Sequence, residues 1–268
     1  MLLEFVYRMM TSDLKIDISI IMPVFNEEEV IGSAILETYR TLKSSGYSFE
    51  IIAVNDGSND SSLKELQKLE EFAKIESYYP NKGKGYALKY GSKKARGERI
   101  VFYDSDLNID PVYILKFLKY SIESGIDIVI GSKRVEGSKS SVPLLRKSLS
   151  TLYHLFSKAL FDIGIKDSQV GLKLITHSCL EEILQNLTID RYAYDVELLL
   201  LSRLNGYKIQ ELPINLRIEQ ENSGINFKVV KRMFIDTLRV YFHHSKSKTL
   251  KKFKPKIELI KKKYFDTK

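Results

Sequence analysis

Between Ile18 and about Ser132 the chain alternates short, β-rich apolar runs with segments of helical spacing, and this alternation constrains the fold more than any other feature. The runs at 18–22 (Ile-Ser-Ile-Ile-Met), 50–54 (Glu-Ile-Ile-Ala-Val), 75–79 (Ile-Glu-Ser-Tyr-Tyr), 99–103 (Arg-Ile-Val-Phe-Tyr) and 126–130 (Ile-Asp-Ile-Val-Ile) are continuous enough to be strands buried on both faces. Between them, 28–44, 61–73, 84–96 and 111–124 carry apolar residues at helical intervals, as in Leu63, Leu66 and Leu69. Strand–helix alternation of this kind predicts an α/β fold with a mostly parallel sheet flanked by helices. Beyond Ser132 the pattern predicts a polar loop over 136–141, helices near 144–161, 178–186 and 194–204, and a short strand at 208–214. A last, amphipathic helix follows over 227–242, with Val229, Val230, Met233, Phe234, Leu238 and Phe242 near one face; such a face packs on its own body or rests on a membrane surface.

Each predicted strand in the first half ends in a polar cluster before the next helix: Pro-Val-Phe-Asn-Glu-Glu (23–28), Asn-Asp-Gly-Ser-Asn-Asp (55–60), Asn-Lys-Gly-Lys-Gly (81–85) and Asp-Ser-Asp-Leu-Asn (104–108). In open α/β sheets that edge is where ligands bind. Asp104 and Asp106, two residues apart just past a strand, can meet one hard divalent cation through oxygen, as Mg²⁺ or Mn²⁺ prefers when it also holds a diphosphate. Asp56 has two compatible readings: its neighbours favour a turn, with Ser58 or Asp60 capping the next helix, while its carboxylate accepts hydrogen bonds from a nucleobase.

Several classes are excluded. A hydrophobic content of 44% with few Gly and Pro rules out a disordered or fibrous chain. Lys82-Gly83-Lys84-Gly85 lacks phosphate-loop spacing, the first strand has no GxGxxG, and no GxSxG elbow occurs. The four histidines form no zinc pattern, His177 reads as a helix-start residue, and the single Cys179 has no partner, which suits a reducing compartment. No stretch reaches the roughly 18–20 apolar residues a membrane span needs. The first ten residues are apolar but broken by Glu4 and Arg8, and read as a short amphipathic extension or a start codon misplaced ahead of Met9 or Met10.

These clusters, in this order, resemble the family 2 glycosyltransferases of the GT-A fold. The carrying stretches are 19–28, 55–60, 81–88 and 104–106. In the second half, Asp-Ser-Gln-Val-Gly-Leu-Lys-Leu (167–174), Ala-Tyr-Asp-Val-Glu-Leu-Leu (193–199) and Glu-Asn-Ser-Gly-Ile-Asn-Phe (221–227) look like the dolichyl-phosphate β-glucosyltransferases. Residues 104–111 and Gly-Ser-Lys-Arg-Val-Glu-Gly (131–137) lean towards dolichol-phosphate mannose synthases. The resemblance covers roughly 18–242. It implies an N-terminal extension (1–17), a nucleotide-sugar-binding half (18–135), an acceptor-binding half (136–226), and an amphipathic helix with a Lys-rich tail (227–268).

Carried over by position, the resemblance assigns Pro23, Phe25, Asn26, Glu27 and Asp56 to the nucleotide, with Lys84 nearby. Asp104, Ser105 and Asp106 fall on the donor diphosphate and its metal, Mg²⁺ or Mn²⁺, and Asn108 stands where a mannose synthase has a metal-proximal Gln. Lys133 replaces the Arg of a Gly-Ser-Arg motif, keeping charge but losing the bidentate fork; Arg134 lies beside it, and Arg146 takes the place of a phosphate-facing cation. Asp195 and Glu197 are the candidates for a base or an acceptor-positioning group; a pair of acids favoured by the helix macrodipole is the competing reading. The chain has no Trp, so the Gln-x-x-Arg-Trp motif of processive synthases is absent, which implies transfer of one sugar.

The implied reaction is inverting transfer from UDP-glucose, or from GDP-mannose, to a polyprenyl (dolichyl) phosphate by a peripheral protein on the cytoplasmic face of a membrane. A family 2 enzyme with a non-lipid acceptor is a further reading. The net charge of +8 bears on location: ten Lys lie between His243 and Lys268 against Glu258 and Asp266, so residues 1–242 are neutral overall. Such a tail can hold a catalytic body against an anionic leaflet at about 1 kcal/mol per well-placed cation. It can also remain idle in solvent, or make the chain a non-catalytic binder of anionic surfaces or nucleic acid; with the strand-end clusters present, no nucleic acid is expected.

Overall fold

The structure is a computed structural model and describes residues 16–138, 144–161, 163–217 and 227–245. Seven strands form one sheet in the order β3-β2-β1-β4-β6-β5-β7. Five follow the expected runs: β1 (Ile16–Val24), β2 (Phe49–Asp56), β3 (Lys74–Tyr78), β4 (Gly97–Tyr103) and β5 (Ile128–Ser132). The remaining two are β6 (Leu172–Thr176) and β7 (Ile209–Pro213). The helices are α1 (Ile31–Lys43), α2 (Ser62–Gln67), α3 (Lys84–Ser92), α4 (Val112–Ser124), α5 (Leu144–Phe161), α6 (His177–Leu184), α7 (Tyr194–Leu204) and α8 (Phe227–Ser245).

β1 pairs in parallel with β2 and β4, and β2 with β3, so all four point their C-terminal ends the same way. Alternate side chains along these strands feed two cores. Ile21, Ile52, Val54 and Phe102 pack with Leu88 of α3 and Leu198 of α7, while Ile20, Met22, Val101 and Tyr103 pack with Ile35 of α1 and Phe117 of α4. Burying each such side chain stabilises the fold by about 1.5–3 kcal/mol.

Three expectations are corrected. β6, which the periodicity did not show, runs antiparallel between β4 and β5. Its run is interrupted by Lys173, whose charge hides a strand that is otherwise buried. β3 is an edge strand and only half-buried instead of covered on both faces: Lys74 and Ser77 are exposed, while Tyr78 packs on Tyr86 and Tyr90 of α3. In α8 the inward face is Asp236, Thr237, Val240 and His244, with Phe234 against Tyr153 and Phe156 of α5. Ile235, Leu238 and Phe242 point outward, Phe242 being 64% exposed. Among the described residues no helix is long and apolar enough to cross a membrane. The tail from 246 onward, residues 1–15 and most of 221–227 lie outside the described residues.

Candidate active site

The C-terminal ends of β1, β2 and β4 open onto a cleft of about 520 Å³, which the start of α3 and the head of α7 also line. The loops at its rim hold one another. The Asn26 amide donates to Ser58 Oγ at 3.1 Å and Asn26 Oδ1 accepts from the Asn59 amide at 2.9 Å. The Glu27 amide donates to Ser62 Oγ at 2.7 Å. Ser58 therefore serves the neighbouring loop, while Asp60 Oδ1 accepts from the Ser62 amide at the head of α2.

Asp56 is almost fully buried and shapes the glycine-rich loop. Its carboxylate accepts from the Lys82 amide at 2.7 Å, from Asn81 Nδ2 at 2.8 Å and from the Gly83 amide at 2.9 Å. Gly83 sits at φ +106, a conformation that penalises any side chain, and a Cβ there would strike Arg191 and the Asp190 carbonyl. The turn that follows delivers Lys84, the first residue of α3, into the cleft.

Lys84 Nζ lies 2.6 Å from Asp104 Oδ1. Burial would lower the lysine pKa, but the charges of Asp104 and Asp195 outweigh it and raise the pKa, so Lys84 stays cationic. Gly171 backs Asp104 so closely that a Cβ would run into its carboxylate, and the Asp104 amide donates to the Gly171 carbonyl at 3.1 Å. Ser105 Oγ donates to the Pro23 carbonyl at 3.1 Å, tying the ends of β4 and β1. Leu107 then turns through a left-handed conformation (φ 56), costly for a branched side chain, and Asn108 folds back onto Asp106. Asn108 Nδ2 donates to Asp106 Oδ2 at 2.6 Å and its amide to Oδ1 at 3.1 Å. Arg217 braces this loop, pairing with Asp110 and Glu37, each at 2.5 Å.

The acids are crowded. Desolvation, followed by the charges of Asp106, Asp104 and Asp60, pushes the Glu27 pKa up to about 7. Desolvation and then Asp104 raise Asp106 as well, against the hydrogen bonds of Asn108. Lys84 offsets only part of this negative charge. Oxygen-only donors in a site short of positive charge are the chemistry that suits a hard divalent cation.

At the head of α7, Asp195 Oδ1 is 2.8 Å from Lys173 Nζ, a lysine only 2% exposed that also donates to the Val170 carbonyl at 2.6 Å. Arg191 donates to Asn81 Oδ1 at 3.3 Å and to its carbonyl at 3.4 Å. Lys173, Arg191, Asn81, Gln169 and Tyr192 were not among the candidates from sequence. The signal for Lys173 was a lone charge inside an apolar run; Arg191 and Tyr192 stood immediately before a stretch already singled out.

Of the candidates, Pro23, Phe25, Glu27, Asp56, Lys84, Asp104, Ser105, Asp106 and Asp195 line the cleft together. Asn108 stands one contact behind it, on Asp106, whereas Asn26 is exposed at the rim and bound to Ser58 and Asn59. Lys133 and Arg134 are not brought to it: the Lys133 amide donates to Asp167 at 3.1 Å, and Arg134 Nη2 donates to Ser150 of α5 at 2.8 Å. Glu197 is turned away, fully buried and engaged by Thr188, Ile189 and His244. Residues two apart on a helix lie on opposite sides, so Asp195 in the cleft requires Glu197 outside it. The Arg146 side chain lies outside the described residues.

A mostly parallel sheet with an Asp-x-Asp pair at a strand end, faced by a lysine at a helix start, has the architecture of the GT-A glycosyltransferase fold. The chain belongs to Glycosyl transferase family 2, which matches residues 19–184. It is 31% identical over 240 residues to a dolichyl-phosphate beta-glucosyltransferase of Trichomonas vaginalis, covering 83% of this chain and 72% of that protein. It is 30% identical over 244 residues to the dolichyl-phosphate beta-glucosyltransferase of Dictyostelium discoideum, covering 85% and 74%. The fold is similar to glucosyl-3-phosphoglycerate synthase from Mycobacterium tuberculosis, crystallised with Mn²⁺, UDP and glucosyl-3-phosphoglycerate. The TM-score is 0.68 at 20% identity, over 86% of this chain and 81% of that one.

Proposed function

We propose that the protein transfers a single glucose from UDP-glucose to a polyprenyl (dolichyl) phosphate, with inversion and with Mg²⁺ or Mn²⁺, at the cytoplasmic face of a membrane. The observation that carries the reading is the cluster of Asp104, Asp106 and Glu27 beside Lys84, a site short of positive charge at the sheet edge where nucleotides bind. The names of the relatives support glucose and a dolichyl-phosphate acceptor. The Mn²⁺ and UDP of the structural neighbour support the donor class.

Asp104 and Asp106 would hold the metal. A donor diphosphate would supply the further oxygens that a hard divalent cation prefers. When bound, the cation supplies charge neutralisation for the departing nucleoside diphosphate. Lys84 adds a second positive charge on the same side, and Arg191 a third beside the Asn81–Gly83 loop. Phe25 offers an exposed ring at the cleft wall for the nucleoside.

Asp195, held by Lys173, is the acidic group that the head of α7 brings to the cleft, and it orients the acceptor. An acceptor phosphate monoester has a second pKa near about 6, so at neutral pH much of it is dianionic and attacks the anomeric carbon without a strong base. Positioning and charge stabilisation then carry most of the rate. Arg146 remains the cation assigned to the acceptor phosphate, and the Lys-rich tail is assigned to the anionic membrane surface.

Purified protein is incubated with radiolabelled UDP-glucose or GDP-mannose, Mg²⁺ or Mn²⁺, and dolichyl phosphate. Labelled glycolipid from UDP-glucose is expected. Product from GDP-mannose alone reassigns the sugar, and no glycolipid with either donor overturns the lipid-phosphate acceptor.

A further inference from the structure

Glu197 is fully buried, and its carboxylate is saturated by groups from two distant parts of the chain. Oε2 accepts from the Thr188 amide at 2.9 Å and from the Ile189 amide at 2.8 Å. Oε1 accepts from Thr188 Oγ1 at 2.6 Å and from His244 Nε2 at 2.8 Å. His244 is itself buried, in the last turn of α8. Burial opposes a charge on Glu197, yet the hydrogen bonds from His244, Thr188 and Ile189 outweigh it and hold the carboxyl pKa below its usual value.

The segment gripped by Glu197 runs directly into the cleft. The Asp190 carbonyl accepts from the Tyr86 amide at 2.9 Å, and its carboxylate pairs with Lys89. Both partners lie on α3, the helix that begins with Lys84. Arg191 then reaches Asn81, whose Nδ2 is bound to Asp56. Loop 188–191 is thus pinned at one end by α8 through Glu197 and at the other by the glycine-rich loop. Removing one donor leaves part of a buried carboxylate's charge uncompensated, which weakens its hold on the loop groups it still binds, the Thr188 and Ile189 amides.

We infer that His244 and Glu197 form a positioning pair that sets loop 188–191, and through Arg191 and Asn81 the nucleotide side of the cleft, from the C-terminal helix. Neither residue touches substrate; both act through Arg191. The kinetic part rests on the proposed nucleotide-sugar donor, whereas the conformational part does not.

The test is amide hydrogen exchange of the full chain without ligand, for the parent protein, His244→Ala and His244→Gln, since a Gln amide can place its N–H near the position of Nε2. In His244→Ala the amides of 186–194 are expected to exchange about tenfold faster, and His244→Gln should return most of the protection. Acceleration confined to 227–245, or no recovery with Gln, overturns the inference. If His244→Ala does not fold, Thr188→Val removes another donor from the same oxygen and should loosen the same loop; an unchanged loop then overturns it. With UDP-glucose as donor, His244→Ala should raise KM about tenfold and change kcat by less than about threefold, with Gln restoring KM. A loosened loop with unchanged KM overturns the link to the donor. Absence of turnover in the parent protein contradicts the proposed donor but leaves the exchange result to decide the positioning pair.

Discussion

Lys84 Nζ and Asp104 Oδ1 lie 2.6 Å apart, where the first residue of α3 meets the first residue beyond β4. The contact joins two stretches of chain twenty residues apart in sequence and puts one positive charge among Asp104, Asp106 and Glu27. Removing that charge leaves the acids facing one another and takes away the cation proposed for the leaving diphosphate. Lys84→Met is therefore expected to lower kcat/KM by about 10²–10³-fold, in the range of other lost electrostatic contacts. Steady-state kinetics at saturating Mn²⁺ checks this; a change below about threefold would show that the lysine does not meet the donor.

Glu27 provides a pH signature. Its folded pKa of about 7 lies above the ordinary 4.5, so the folded state binds this proton more tightly than the unfolded state. The stability it confers is present below about 4.5 and is lost as pH rises through about 7. In metal-free buffer the melting temperature should fall between pH 5 and pH 8 more steeply in the parent protein than in Glu27→Gln. Added Mn²⁺ should recover part of the loss at about pH 8, because a bound cation favours the ionised acids. Parallel melting curves for the two proteins would contradict the crowding of acids.

Asp106→Ala separates catalysis from folding. The carboxylate is in a repulsive, desolvated setting, so its removal should leave the melting temperature unchanged or raised while turnover falls below detection. Calorimetry and the glycolipid assay together decide, and near-normal turnover would remove Asp106 from the metal site.

The tail is tested by truncation after Ser245, where α8 ends. The shortened protein should keep its activity on a soluble short-chain acceptor phosphate and lose most of its co-sedimentation with anionic vesicles. Binding of the full chain should weaken as salt rises. Unchanged vesicle binding after truncation would move the contact to the outward residues of α8, Ile235, Leu238 and Phe242.

The parts of the fold legible in the sequence were those set by uninterrupted apolar runs. β1, β2 and β4 are rich in Ile and Val, each followed by a polar cluster, and their parallel pairing places those clusters at one edge. β6 was hidden because Lys173 breaks its run, and its antiparallel direction is a matter of topology that local pattern does not encode. The grouping of Asp104, Asp106 and Lys84 in one cleft was legible because they are strand-end and helix-start residues. Around the head of α7 only Asp195 was legible: Arg191 reaches Asn81 across 110 residues, and nothing local marks that contact. Glu197 looked equivalent to Asp195 as an acid in the first turn of α7, and only helix geometry separates the one in the cleft from the one bound to His244.

The central claim, single glucose transfer with inversion onto a lipid phosphate, is tested most directly by the product. Protein is incubated with UDP-glucose, Mn²⁺ and dolichyl phosphate, and the purified glycolipid is examined by proton NMR for the coupling at its anomeric centre. The expected product carries one β-linked glucose per lipid phosphate. An α-linked sugar, a chain of sugars, or no glycolipid would contradict it.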